Sequence, residues 1–151
     1  ILVHNKKAAG ILLESHNLAG YGDCLIIGVG TDLVEIARIA QSIERLGERF
    51  IDRILTVDEK QRWSQISNVD KANAYVAKRF AAKEAAVKAL GTGIGSGVSF
   101  QHFNVSNLPS GQPVLVVDDS IIARYDFPVS WHLSLTDEKA YAQAFVVLES
   151  K

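Results

Sequence analysis

The chain has 151 residues, of which 48% are hydrophobic and 22% are charged, and this composition fits one globular domain with a substantial core. A net charge of −1 excludes a uniformly basic nucleic-acid-binding protein. The one cysteine, Cys24, excludes a disulfide framework within the chain and favours a reducing, cytoplasmic location. No apolar run approaches the roughly 20 residues of a membrane-spanning helix, so we expect no membrane partner. From the net charge, we also expect no nucleic-acid partner.

Residues 1–24 differ in character from the rest of the chain. Lys6 and Lys7 precede a short apolar run, which suggests a secretory signal, but Glu14 interrupts that run and no small-residue cleavage site follows it. We therefore expect an N-terminal appendage of unknown role at 1–24 and a single domain at 25–151.

The domain is predicted to open with a short buried strand, Leu25–Asp32, whose β-branched and apolar residues lie between glycines. Asp32 at its end could project into a cleft or cap the helix that follows, and the sequence leaves both alternatives open. We expect that helix from about Leu33 to Leu46, because isoleucines recur along it at helical spacing.

Three arginines are predicted to lie opposite the isoleucine face of this helix, provided that the helix continues past Gly47. They are Arg38, Arg45 and Arg49. A stripe of arginines is usually a solvated face, but it also suits the docking of an acidic partner.

The longest predicted helix runs from about Asp70 to Leu90, because nearly all of its residues favour helix and glycines follow it. Glu84 and Lys88 lie four residues apart on one face, and Arg79 and Lys83 lie on a neighbouring face. An ordinary Glu–Lys surface pair would explain the first two residues. The alternative is a ligand that approaches between the surrounding alanines.

Shorter elements are predicted around this helix. Thr56 and Glu59 form a capping box at the start of a short helix. Ser67–Asp70 is predicted to separate this helix from the long helix and to cap the start of the long one. Downstream we expect strands at 103–105 and 114–117, a short helix at 119–125, and a hairpin of two alternating strands at 131–136 and 141–147.

Two segments, in the same order and context, resemble the signature pair of the phosphopantetheinyl transferases. They are Gly28–Ile36, with the sequence GVGTDLVEI, and Arg79–Ala89, with the sequence RFAAKEAAVKA. The small bacterial holo-[acyl-carrier-protein] synthases are the most similar members, and they also have a Gly-Thr-Gly-Ile-Gly turn after the long helix and a C-terminal hairpin. The resemblance implies an α+β fold in which a mostly antiparallel sheet packs against one long helix and shorter helices.

The resemblance also implies an activity. The family transfers the phosphopantetheine arm of coenzyme A to a serine of apo-acyl carrier protein, releasing adenosine 3′,5′-bisphosphate, in fatty acid biosynthesis. Asp32 and Glu84 match the positions of the family's Mg²⁺ ligands. Lys88, one turn beyond Glu84, would stabilise the transferring phosphate, so the implied catalytic residues are Glu84 and Lys88.

The resemblance also implies roles for other residues. Arg79, Lys83 and His132, together with Lys88, match coenzyme A phosphate contacts, and the three arginines of the stripe would dock the acidic carrier protein. Many members have a histidine where this chain has Asp137, so the general base stays open, and a metal-bound or carboxylate-held water is one alternative. Small members form trimers with the site at the subunit interface, so we expect a homotrimer.

Two other functions remain open. One is a non-catalytic module that binds coenzyme A or a carrier protein, which the combination of Asp32, Glu84 and Lys88 disfavours because such a module needs no metal. The other is a different Mg²⁺-dependent enzyme that acts on a nucleotide diphosphate. The absence of an obvious acidic cluster for a second metal disfavours that enzyme.

Overall fold

The computed structural model describes residues 24–151, and two antiparallel sheets and one long helix dominate them. In chain order the elements are β1 (Ile26–Glu35), α1 (Ile36–Leu46), α2 (Glu48–Ile54), α3 (Val57–Trp63), α4 (Val69–Leu90), a 3₁₀ turn (Phe100–His102), β2 (Phe103–Asn107), β3 (Pro113–Val117), α5 (Asp119–Ile122), β4 (Val129–Asp137) and β5 (Tyr141–Ser150). The predicted α+β class is confirmed. Cys24 apart, the expected appendage at 1–24 lies outside the described residues.

The main sheet has the strand order β1-β5-β4, and β2 pairs with β3 in a second sheet. Along β5, Ala142, Ala144, Val146 and Leu148 are buried against α4, whereas the intervening residues point to the other face. The core therefore lies between this sheet and α4. Within residues 24–151, no helix has the length and apolar character needed to cross a membrane.

The helix α4 approaches β1 unusually closely, and two glycines of β1 make that approach possible. A Cβ atom at Gly28 would lie 1.9 Å from the carbonyl oxygen of Ala89, and one at Gly30 would lie 1.9 Å from that of Ala85. Because no side chain fits in so little space, only glycine allows this packing. The strand is thereby held directly against α4 beside the residues of the second sequence motif.

Local signals predicted the ends of several helices correctly. The side chain of Asn68 accepts a hydrogen bond from Lys71 N at the start of α4, and Gly91 ends the helix with a left-handed φ of 77°. The capping box of Thr56 and Glu59 is confirmed, since both of its hydrogen bonds are present at the start of α3.

The predicted boundaries around the first helix were wrong. Strand β1 continues to Glu35 because it pairs with β5 along its whole length, with Glu35 opposite Tyr141. Tertiary pairing therefore overrides the helical pattern at Leu33. At the other end, Gly47 has a φ of 57°, which a right-handed helix cannot continue, so Arg49 belongs to α2 and not to the face of α1.

Candidate active site

Asp32 lies in the middle of β1, and not at its end as we expected. It pairs with Ala144 of β5, so its side chain points to the face of the sheet that packs against α4. Lys88 of α4 meets it there: the Lys88 Nζ atom lies 2.7 Å from Asp32 Oδ1 and 2.9 Å from the carbonyl oxygen of Thr31.

Glu84 lies one helical turn before Lys88 on α4 and is partly buried. Burial and, to a smaller extent, the negative charge of Asp32 raise the pKa of Glu84, whereas Lys88 and Arg53 oppose the shift. Among the described residues, the ion pair of Lys88 is with Asp32 and not with Glu84. The alternative of a Glu84–Lys88 surface pair is therefore not what the structure shows, since Lys88 pairs with Asp32 between β1 and α4.

This donor set fits a magnesium ion. Mg²⁺ prefers oxygen ligands, commonly takes only one or two carboxylates from a protein, and completes its shell with phosphate oxygens and water. The two carboxylates interact electrostatically, and Asp32 already holds one cationic group. Within residues 24–151 no group of three or more His, Cys, Asp or Glu residues is arranged to hold a metal ion, so the protein would supply Asp32 and Glu84 alone.

Arg53 is a candidate site residue that the sequence analysis missed. It lies near the end of α2, and its positive charge opposes the upward shift in the pKa of Glu84. The only signal for Arg53 in the sequence is that it follows Arg38, Arg45 and Arg49. Helical spacing could not predict its position relative to Glu84, because tertiary packing brings α2 and α4 together.

A cavity of about 210 Å³ lies beside Asp32. Its lining residues come from β1, α1, α2 and α4, and they are Asp32, Leu33, Val34, Arg38, Ile39, Ser42, Phe50 and Phe80. Arg38 and Asp32 thus share one cavity, which joins the predicted docking surface to the predicted metal ligand. Arg45 on α1 and Arg49 on α2 are both exposed.

Arg79 and Lys83 do not lie with this group. The guanidinium of Arg79 is 3.6 Å from the centre of the Tyr75 ring, and its Nε has no hydrogen-bond partner among residues 24–151. Burial lowers the pKa of both Arg79 and Lys83. The Lys83 ammonium has no exposed surface and is paired with Glu59, so this position does not fit the predicted contact with coenzyme A.

His132 lies on the opposite face of the main sheet from Asp32. It pairs with Val147 on β5, and its Nε2 atom lies 2.6 Å from Glu149 Oε1. One chain therefore does not bring His132 to the Asp32–Glu84–Lys88 group. Asp137 forms an ion pair with Lys78 at 3.0 Å, and it provides no unpaired base.

Comparison with known proteins assigns the chain to a family. A profile of the 4′-phosphopantetheinyl transferase superfamily matches residues 28–146, which include Asp32, Glu84 and Lys88. The chain belongs to this superfamily. The resemblance that the two sequence motifs indicated is confirmed.

Individual superfamily members are similar over nearly their whole length. The holo-[acyl-carrier-protein] synthase of Marinomonas sp. (strain MWYL1) is 90% identical over 127 residues, which are 84% of this chain and 100% of the relative. The crystal structure of the Neisseria meningitidis synthase superposes with a TM-score of 0.76 at 36% identity, covering 83% of this chain and 100% of that one. The Bacillus anthracis synthase, crystallised in complex with coenzyme A (3′,5′-ADP), gives 0.70 at 39% identity, covering 83% and 98%.

Proposed function

We propose that this protein transfers the phosphopantetheine arm of coenzyme A to a serine hydroxyl of an apo-acyl carrier protein, with Mg²⁺ as cofactor. The observation that carries the proposal is the grouping of Asp32, Glu84 and Lys88 between β1 and α4, at the motif positions of the superfamily. The names of the similar synthases and the coenzyme A complex of one of them support the choice of donor and acceptor.

The residues divide the chemistry between them. The serine oxygen forms a bond to the phosphorus next to pantetheine, and the bond from that phosphorus to the bridging oxygen breaks, its electron pair leaving with adenosine 3′,5′-bisphosphate. When bound, Mg²⁺ supplies positive charge to the pyrophosphate oxygens. Asp32 and Glu84 would hold the ion, and Lys88 would direct its ammonium at the phosphate. The proton of the serine hydroxyl leaves to water as the new bond forms.

We propose that the carrier protein docks on the arginines beside the cavity. Arg38 lines the same cavity as Asp32, so an acidic surface held by Arg38 would present its serine close to the metal ligands. Arg45 follows on the same helix. Arg49 lies on α2, and so does Phe50, which supplies an apolar wall to the cavity.

We further propose a homotrimer in which the outer face of the main sheet is covered by other copies. The apolar side chains of Val29, Leu33, Tyr141 and Phe145 point away from α4, and 46–62% of their surface is exposed. Contiguous apolar surface of this kind favours an interface. His132 lies on the same outer face, so assembly would bring it near the site of a neighbouring subunit, where coenzyme A phosphates could reach it.

We assign the reaction to fatty acid biosynthesis in the cytoplasm. Coenzyme A and apo-acyl carrier protein meet there, and the transferred arm supplies the thiol that carries acyl chains. The test is to incubate the protein with coenzyme A, Mg²⁺ and an apo-carrier protein and then to weigh the carrier.

A further inference from the structure

Lys83 and Glu59 form an ion pair that is shut off from solvent, directly beside the proposed active site. The Lys83 side chain is 0% exposed and that of Glu59 is 1% exposed, with Nζ lying 2.6 Å from Glu59 Oε2. Because removing two charges from water is costly, a buried ion pair does not by itself indicate a large contribution to stability. The hydrogen bonds of this pair indicate a second role.

Each polar atom of the pair is used to join separate elements. Lys83 Nζ also donates to the carbonyl oxygen of Ile54, the last residue of α2, at 2.6 Å. Glu59 Oε2 accepts from Thr56 N at 2.9 Å, and Glu59 Oε1 accepts from Val105 N of β2 at 2.7 Å. One side chain of α4 therefore fixes the end of α2, the start of α3 and β2.

The segment held in this way carries two residues of the site. Phe50 of α2 lines the cavity next to Asp32, and Arg53, adjacent to Ile54, acts on Glu84. Lys83 and Glu84 are consecutive on α4, so their side chains leave the helix about 100° apart. Through its bond to the carbonyl oxygen of Ile54, Lys83 thus holds the end of α2 at a fixed place relative to its neighbour Glu84.

We propose that Lys83 and Glu59 are positioning residues for the acceptor: their buried pair holds the α2 wall of the cavity, and it controls affinity for the carrier protein, not for coenzyme A. The inference rests on the proposed function and names the residues that shape its acceptor site. A second contact holds the same end of α2, because Gln101 Nε2 donates to the carbonyl oxygens of Asp52 and Leu55, both at 2.9 Å, so we expect α2 to stay folded in variants of the pair.

Lys60 provides a matched control. On the surface, its ammonium joins α3 to α2 through ion pairs with Asp52 at 2.6 Å and with Glu48 at 3.4 Å, whereas the buried pair uses the Glu59 carboxylate and the carbonyl oxygen of Ile54. Lys60→Met therefore removes one ammonium and both of its surface ion pairs with α2, while the buried Lys83–Glu59 pair stays intact. Surface pairs of this kind contribute little.

The experiment measures KM for the carrier protein, KM for coenzyme A and kcat for Lys83→Met, Glu59→Gln, the double variant and Lys60→Met. Circular dichroism checks the fold of each. We expect the carrier KM to rise about tenfold in each buried-pair variant, because a wall displaced by about 1 Å misplaces the serine. The coenzyme A KM should stay within about twofold of wild type, and Lys60→Met should change neither constant.

Each other outcome decides against the inference. A carrier KM that stays at the wild-type value in folded variants would show that the pair does not position the acceptor. A larger rise in the coenzyme A KM would assign Lys83 to the donor. Unfolding of all three buried-pair variants would show that the pair supports the fold alone. If wild-type protein transfers nothing, the proposed function itself is wrong, so the two failures are distinguishable.

Discussion

The ammonium of Lys88 lies 2.7 Å from Asp32 Oδ1 and 2.9 Å from the carbonyl oxygen of Thr31, so this side chain places a positive charge on the carboxylate that we propose as a metal ligand. In the proposed reaction Asp32 and Glu84 would hold the magnesium ion, and the Lys88 ammonium would turn from Asp32 to the phosphate of the donor. Lys88 would therefore have two successive partners.

Lys88→Ala should lower the maximal rate and strengthen metal binding at the same time. The loss of one charge-stabilising contact costs on the order of 10²-fold in rate at comparable sites. In the absence of coenzyme A, the variant should bind Mg²⁺ more tightly than wild type, because no ammonium competes for Asp32. Steady-state kinetics and calorimetric titration measure the two effects, with Lys78→Ala as the control lysine on the same helix. An unchanged maximal rate with a raised KM for coenzyme A would make Lys88 a ground-state binding residue.

The pKa of Glu84 should respond to its charged neighbours in opposite directions. Asp32→Asn removes a negative charge and should lower it, whereas Arg53→Ala should raise it, and exposed Arg49 should have no effect when it is replaced by Ala. Carbon-13 NMR titration of the Glu84 carboxyl in metal-free protein measures these shifts. An Asp32→Asn variant whose Glu84 titrates as in wild type would show that the two carboxylates do not face each other.

The sign of the shift also fixes a pH dependence. Because folding raises the pKa of Glu84, its contribution to stability is fully present below the unfolded-state pKa and is lost as the pH rises through the folded-state value. Metal binding needs the ionised form. The apparent affinity for Mg²⁺ should therefore fall on acidification at a higher pH than for a free glutamate.

Charge reversal at Arg38 and at Arg45 should raise the KM for the carrier protein and leave that for coenzyme A nearly unchanged. The effect of Arg38 should be larger, because it lines the cavity that contains Asp32. Wild-type affinity for the carrier should fall as salt rises, since the Debye length is about 8 Å at 0.15 M. Lys71→Glu controls for net charge on another exposed surface. If both reversals leave the carrier's KM alone, the arginines are a solvated face and the carrier docks elsewhere.

Phe145→Asp and Leu33→Asp should break the assembly, because each places a charge on the outer face of the main sheet, where both residues are exposed in one chain. Light scattering should give three chain masses for wild type and one for each variant. Val116, which is also exposed but lies on the smaller sheet, is the control position. A wild-type protein with the mass of a single chain would contradict the proposed trimer.

Local sequence signals predicted the parts of the fold that local physics determines. The long helix ends where Asn68 and Gly91 cap it, and the hairpin strands alternate with period two, so both were predicted from short windows. Strand β1 was predicted too short, because its last residues are extended only through pairing with β5.

The site divides in the same way. Helical spacing placed Lys88 on the face of Glu84 and Lys83 on a neighbouring face, but no local pattern showed that Lys83 is buried and paired with Glu59. Lys83 is buried because Glu59, 24 residues away, supplies its counter-charge. Arg53 was missed for a related reason: no local pattern shows that α2 packs near Glu84.

The mass of an apo-acyl carrier protein, measured before and after incubation with this protein, coenzyme A and Mg²⁺, tests the proposed function most directly. We predict that the carrier gains one phosphopantetheine group on a serine while adenosine 3′,5′-bisphosphate appears in equal amount. Glu84→Gln and Asp32→Asn should keep the fold and transfer nothing, because an amide lacks the charge that holds the metal. A carrier of unchanged mass would contradict the proposed function. Near-normal transfer by either variant at moderate Mg²⁺ would contradict the assignment of that residue as a metal ligand.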